Sequence, residues 1–232
     1  MTQSRDEMEA LYPFLYADTS DLDRVLAQVR ASTEAKTAEI RELRQTIAAR
    51  DAERIARCAR QLAERFAAGG RLFAFGNGGS ATDAQQLATL FLCESQGLGR
   101  SRVPGETRSG LPAFALANDT AVVTALANDI GVEVVFARQI AAFGGPRDIA
   151  VGLSTSGNSA NLVRAFDEAR RIGMLTVGLA GYEGGAMAEL DSIDYLFIAP
   201  SASVHRIQEA QTTIYQVLWE LTARTAASTE CQ

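Results

Sequence analysis

The chain has 232 residues, 47% hydrophobic and 22% charged, with a net charge of −6. That length and composition suit one α/β domain with helical additions and a core of its own. The acidic balance argues against non-specific binding to nucleic acid or to an anionic membrane surface, both of which need a basic face.

Residues 1–18 contain the aromatic-rich run Leu11-Tyr12-Pro13-Phe14-Leu15-Tyr16, which is expected to pack on another surface. A long helix is predicted from Ser20, with Ser20 as its cap and Asp23 as capping-box partner. Leu22, Val25, Leu26, Val29, Ile40, Leu43 and Ile47 follow helical spacing and predict one buried stripe. A second helix is predicted from about Asp51, with Ile55, Cys58, Leu62 and Phe66 inward and a stop at Gly69-Gly70. These helices are more apolar than a monomer needs, so they read either as a subunit contact or as an intramolecular hairpin.

Beyond Gly70 short apolar runs alternate with helical patterns. Strands are predicted at Leu72–Phe75, Ala113–Ala117, Ile149–Leu153, Leu175–Leu179 and Tyr195–Ile198, and helices near 80–94, 119–128, 132–143, 158–171 and 203–224. Continuous apolar strands between helices predict a parallel sheet covered on both faces. The expected organisation is a helical arm over 1–50, an α/β domain over 51–226 and a frayed tail over 227–232. Residues 96–111, with Arg100, Arg102 and Arg108, read as a long loop that either reaches an anionic ligand or is simply solvated.

Two loops carry the chemistry. Gly76-Asn77-Gly78-Gly79-Ser80 and Ser154-Thr155-Ser156-Gly157-Asn158-Ser159 each follow an apolar run and open a helix. Glycines allow close backbone approach, and hydroxyls together with helix N-terminal N–H groups bind anions. The first loop also satisfies a dinucleotide fingerprint, but the next strand ends Ala115-Leu116-Ala117-Asn118, without the acidic residue that a ribose would need. In the second loop a helix cap would use one hydroxyl, and more than one is on offer. A phosphate-bearing small ligand is the better reading. Lys36 is the only lysine, which excludes a Walker-type loop and Schiff-base chemistry on a core lysine. Cys58, Cys93 and Cys231 lack metal-ligand spacing and read as reduced thiols of a cytoplasmic protein. No apolar stretch is long enough to span a membrane, and the N-terminus lacks a signal-peptide pattern.

These two loops, with Asp83-Ala84-Gln85, Ala127-Asn128-Asp129 and Arg206-Ile207-Gln208-Glu209, resemble the sugar-isomerase (SIS) domain family, and within it the sedoheptulose 7-phosphate (phosphoheptose) isomerases. The resemblance covers roughly residues 35–224. It implies a flavodoxin-like three-layer α/β/α sandwich on a five-stranded parallel sheet. It also implies a homodimer or homotetramer assembled partly through an N-terminal helical arm, with a protein partner as a further possibility. By the same resemblance Asn77, Gly78, Gly79, Ser80, Asn128, Asp129 and Gln208 contact the sugar, and Ser154, Thr155, Ser156 and Ser159 hold the phosphate.

The resemblance fails at the zinc and acid–base positions. Gln86 and Leu90 stand where the family has His and Glu, and Gln216 stands where it has a second His; only Gln208 of that set matches. No cofactor is therefore expected, and zinc-assisted isomerisation is expected to be lost. Two candidate catalytic replacements remain. His205 precedes the Arg-Ile-Gln segment at a helix N-terminus, which favours a neutral imidazole, and Glu94 lies one turn beyond Leu90. The competing reading is a non-catalytic phosphosugar sensor or protein-binding oligomer. Asp83 and Glu209 read as structural, and Tyr215 and Trp219 as core or interface anchors.

Overall fold

The structure, a computed structural model, describes residues 19–93 and 110–229. The aromatic run at 11–16, Glu94, the three loop arginines and Cys231 lie outside those residues. The chain divides between Glu42 and Leu43 into two compact units.

Helix α1 is a single element, Thr19–Ala67, where two helices were expected. The sequence supplies the reason: no Gly or Pro interrupts it, and Asp51 is not a cap. Asp51 is fully buried, and its carboxylate accepts from Arg50 Nε at 2.9 Å and Arg54 Nη1 at 2.9 Å. The helix also begins at Thr19, one residue before the expected cap. In the first unit the expected buried stripe is absent at its start. Leu22, Val25, Leu26 and Val29 are 44–57% exposed, because no element among the described residues covers them. Ile40, Leu43 and Ile47 are buried as expected.

The second unit is a parallel five-stranded sheet in the order β2-β1-β3-β4-β5. After α1 come β1 (Leu72–Gly76), α2 (Gly79–Cys93), β2 (Ala113–Ala115), α3 (Thr120–Asp129), α4 (Val135–Phe143) and β3 (Ile149–Leu153). Then follow α5 (Ala160–Ile172), β4 (Leu175–Gly181), β5 (Tyr195–Ala199) and α6 (Val204–Thr229). The expected strands are all present. β2 is shorter than the 113–117 span, because the Leu116 carbonyl is taken by the buried Gln139 Nε2 at 3.1 Å and the chain turns at Asn118. The helix expected at 132–143 opens with a tight three-residue turn at Val132–Val134 before becoming α-helical.

β1, β3 and β4 are buried along their whole length, as a sheet covered on both faces requires. One face packs Phe73 and Phe75 against Phe136 and Ile140 of α4 and Leu162 and Phe166 of α5. Phe75 sits 5.6 Å from Phe136 and 5.3 Å from Phe166, centroid to centroid. Burying one such ring contributes on the order of 2–3 kcal/mol. The other face is covered by α1, α2 and α6, with Phe66 stacked on Phe91 at 5.5 Å and Ile207, Ile214 and Leu218 buried. The Asp51 network fixes α1 along the sheet edge, where Arg54 Nη2 donates to the Leu196 carbonyl of β5 at 2.9 Å. Among the described residues no helix is long and apolar enough to cross a membrane.

Candidate functional site

The strand order reverses direction between β1 and β3, and in open α/β sheets the crevice at the carboxyl ends of those two strands is where ligands bind. Gly76 pairs with Leu153 in register, so the loops leaving β1 and β3 start level on either side of that crevice. A reciprocal amide pair ties them together. Asn77 Nδ2 donates to Asn161 Oδ1 at 2.9 Å, and Asn161 Nδ2 donates back to Asn77 Oδ1 at 2.9 Å. Asn161, buried in the first turn of α5, was not singled out from the sequence; the only signal for it was a second Asn three residues after Asn158.

The β3–α5 loop coils around its own hydroxyls. Ser154 Oγ accepts the Gly157 N–H at 3.0 Å and lies 3.3 Å from Ser159 Oγ. Ser156 Oγ accepts the Asn158 N–H at 3.2 Å. Ser159 occupies the cap position of α5, yet its side chain makes no capping bond. Intrahelical bonding begins with Leu162 and Val163 donating to the Ser159 carbonyl. The N–H groups of Ala160 and Asn161 precede that point, at the positive end of the helix dipole. A plain helix cap is thus not what these hydroxyls make. Gly157 has φ +68, and a Cβ there would lie 1.9 Å from the Gly184 carbonyl oxygen, so only glycine lets this loop seat against the β4 loop.

Across the crevice, a Cβ on Gly79 would lie 2.5 Å from Gln208 Nε2, so the start of α2 touches the Gln208 carboxamide of α6. Gln208 Nε2 donates to Asp83 Oδ2 at 3.1 Å. Burial pushes the Asp83 carboxyl above the ordinary carboxylate range, and the amide from Gln208 draws it partly back. One turn further along α6, the fully buried Gln211 donates from Nε2 to the Ser154 carbonyl at 3.3 Å, while its Oε1 has no partner among the described residues. Gln211 thus holds the Ser154 carbonyl from α6, and it was not singled out from the sequence. Tyr215 is fully buried, and its hydroxyl donates to Gln86 Oε1 at 2.8 Å. Burial raises its phenol above the usual range, partly offset by the Thr212 hydroxyl.

The structure therefore brings Asn77, Gly78, Gly79, Ser80, Ser154, Thr155, Ser156, Ser159 and Gln208 to one crevice rim. Ser80 is buried there, with Thr155 and Ser156 half-buried. Asn128 and Asp129 form the exposed end of α3, where Asn128 Nδ2 donates to Asp129 Oδ1 at 2.8 Å. His205 is exposed in the first turn of α6, one turn before Gln208. Gln216 is exposed on the same helix.

This sheet order with two such loops at its switch point defines a small-ligand-binding α/β/α sandwich. The chain belongs to the SIS domain family, whose pattern it matches over residues 37–181. It is similar to phosphoheptose isomerases. It is 42% identical to that of Roseiflexus sp. over 201 residues, covering 87% of this chain and 92% of the relative. It is 40% identical to that of Geobacter sulfurreducens over 200 residues, covering 86% and 96%. The solved phosphoheptose isomerase of Neisseria gonorrhoeae superposes with a TM-score of 0.73 at 31% identity, over 84% of this chain and 99% of that one.

Proposed function

We propose that the crevice binds a seven-carbon sugar phosphate, with the phosphate on the Ser154–Ser159 loop and the sugar lying towards Asn77, Gly78, Gly79, Ser80, Asn128, Asp129 and Gln208. The observation that carries this reading is the uncapped start of α5, where Ser154 Oγ and Ser159 Oγ lie 3.3 Å apart and the N–H groups of Ala160 and Asn161 precede the first intrahelical bond. The names of the relatives support the same ligand class.

We propose further that binding, rather than zinc-assisted isomerisation, is what this site does. Moving a proton between neighbouring carbons needs a base at the C–H and a group that polarises oxygen. The residues at the family's zinc positions do not fit that ion. Gln86 gives its oxygen to Tyr215, Gln208 gives an amide N–H to Asp83, Leu90 has no donor atom, and Gln216 is a neutral carboxamide. Zinc sites use His, Cys and carboxylate, and among the described residues no group of three such side chains comes together. These residues favour a phosphosugar sensor. The exposed Leu22–Val29 stripe favours a self-associating form of it, a dimer or tetramer built on the helical arm.

One observation favours a second reading, a metal-free isomerase. His205 stands exposed one turn before Gln208, whose carboxamide meets Asp83 of α2. A turnover assay with sedoheptulose 7-phosphate, with and without zinc, beside a thermal-shift titration separates the two. Stabilisation without turnover supports the sensor. Turnover abolished by His205→Asn supports the metal-free enzyme, and turnover that requires zinc contradicts both.

A further inference from the structure

The wall between α2 and α6 holds a hydrogen-bonded chain that the phosphate cradle does not use. Gln208, Thr212 and Tyr215 recur at one-turn spacing on one face of α6, and Asp83 and Gln86 do so on α2. Thr212 Oγ1 donates to the Gln208 carbonyl at 2.9 Å, and the Tyr215 hydroxyl lies 3.3 Å from Thr212 Oγ1. That hydroxyl donates to Gln86 Oε1 at 2.8 Å. Tyr215 is fully buried while Gln86 is an exposed residue, so the phenol is a fixed post and the carboxamide a surface group tied to it. Its oxygen is held by Tyr215, and its amide nitrogen, which carries two N–H donors, has no hydrogen-bond partner among the described residues. Gln86 also lies seven residues into α2 from Gly79, about 10 Å along the helix from the β1–α2 loop.

We propose that Gln86 is a specificity-determining hydrogen-bond donor to a hydroxyl or carbonyl oxygen at the sugar end of the ligand, and that Tyr215 is the positioning residue that fixes its orientation. The inference rests on the phosphosugar reading above and assigns the far end of that ligand. An untethered glutamine rotates its amide about three torsions and loses that freedom on binding; the tether to a buried phenol removes most of that cost in advance. A carboxamide donor at this place reads a sugar oxygen and is indifferent to a bare phosphate.

The test compares two probes, sedoheptulose 7-phosphate and inorganic phosphate, by thermal-shift titration of the full chain and of Gln86→Ala, Tyr215→Phe and the double variant. Gln86→Ala changes an exposed side chain and keeps the fold within reach if Tyr215→Phe does not. Each single variant is expected to weaken the sugar phosphate roughly three- to tenfold, the size of one hydrogen bond. Inorganic phosphate is expected to bind as before. The double variant should be no weaker than Gln86→Ala, because the two residues act as one unit. Parallel loss of both probes in Tyr215→Phe would make the tyrosine merely structural and overturn its positioning role. Unchanged sugar-phosphate binding in Gln86→Ala would overturn the donor role while leaving the cradle standing. An unmodified chain that binds neither probe would sink the phosphosugar reading itself.

Discussion

Ser156 and Gly157 are neighbours that serve the cradle in opposite ways. Ser156 offers a hydroxyl, and Gly157 supplies the left-handed turn that lets the loop close against Gly184. Ser156→Ala should weaken sugar-phosphate binding about tenfold, a hydrogen bond to a charged group being worth ~1.5 kcal/mol or more. Calorimetric titration reads this directly, and equal affinity would remove Ser156 from the site. Gly157→Ala should instead cost stability. The left-handed backbone alone costs about 1–2 kcal/mol, and the 1.9 Å approach to the Gly184 oxygen adds to it. A urea midpoint unchanged within error would contradict the loop geometry. Cys58 is buried, and burial pushes its thiol well above the usual range. Mass spectrometry after iodoacetamide should therefore find the Cys58 peptide unmodified in native protein and alkylated in denaturant; labelling of the native chain at that peptide would place α1 wrongly. At this scale the sequence made the loop residues legible, because serine and glycine density is a local signal. Asn161, Gln211 and the Gln86–Tyr215 tether were not, since each depends on which residue of a distant helix arrives opposite.

At the scale of elements, strands and sheet helices were readable because their apolar runs are bounded by glycine and polar punctuation. Helix α1 was misread as two for want of a tertiary fact. Asp51 looks like a helix start, yet it is the buried acceptor that ties Arg50 and Arg54 to the helix edge and to β5. Ala49→Pro tests the unbroken helix. It should cost about 3 kcal/mol or more by breaking the backbone ladder just before that anchor; a stable variant would restore the two-helix reading. The exposed Leu22, Val25, Leu26 and Val29 belong to the same element. Leu26→Glu should lower the oligomeric mass seen by sedimentation and leave the folded α/β unit intact. An unchanged mass would remove the arm from self-association.

For the whole molecule, the sheet order sets function before any side chain does. Placing β1 beside β3 opens the switch-point crevice, and the reciprocal Asn77–Asn161 pair holds its two loops at one width. Parallel order was legible from alternation of strand and helix, whereas the β1/β3 adjacency follows from packing across the whole sheet. At that crevice the chain places the hydroxyls of the Ser154–Ser159 loop, and it carries neutral carboxamides at Gln86, Gln208 and Gln216. The central claim is that this crevice binds a sugar phosphate without a metal. Thermal unfolding of the chelator-treated chain over a titration of sedoheptulose 7-phosphate tests it most directly, because a ligand that binds only the folded state raises its melting temperature. The account predicts a saturable rise that zinc does not enlarge. No rise at any concentration, or a rise that appears only when zinc is restored, would contradict it.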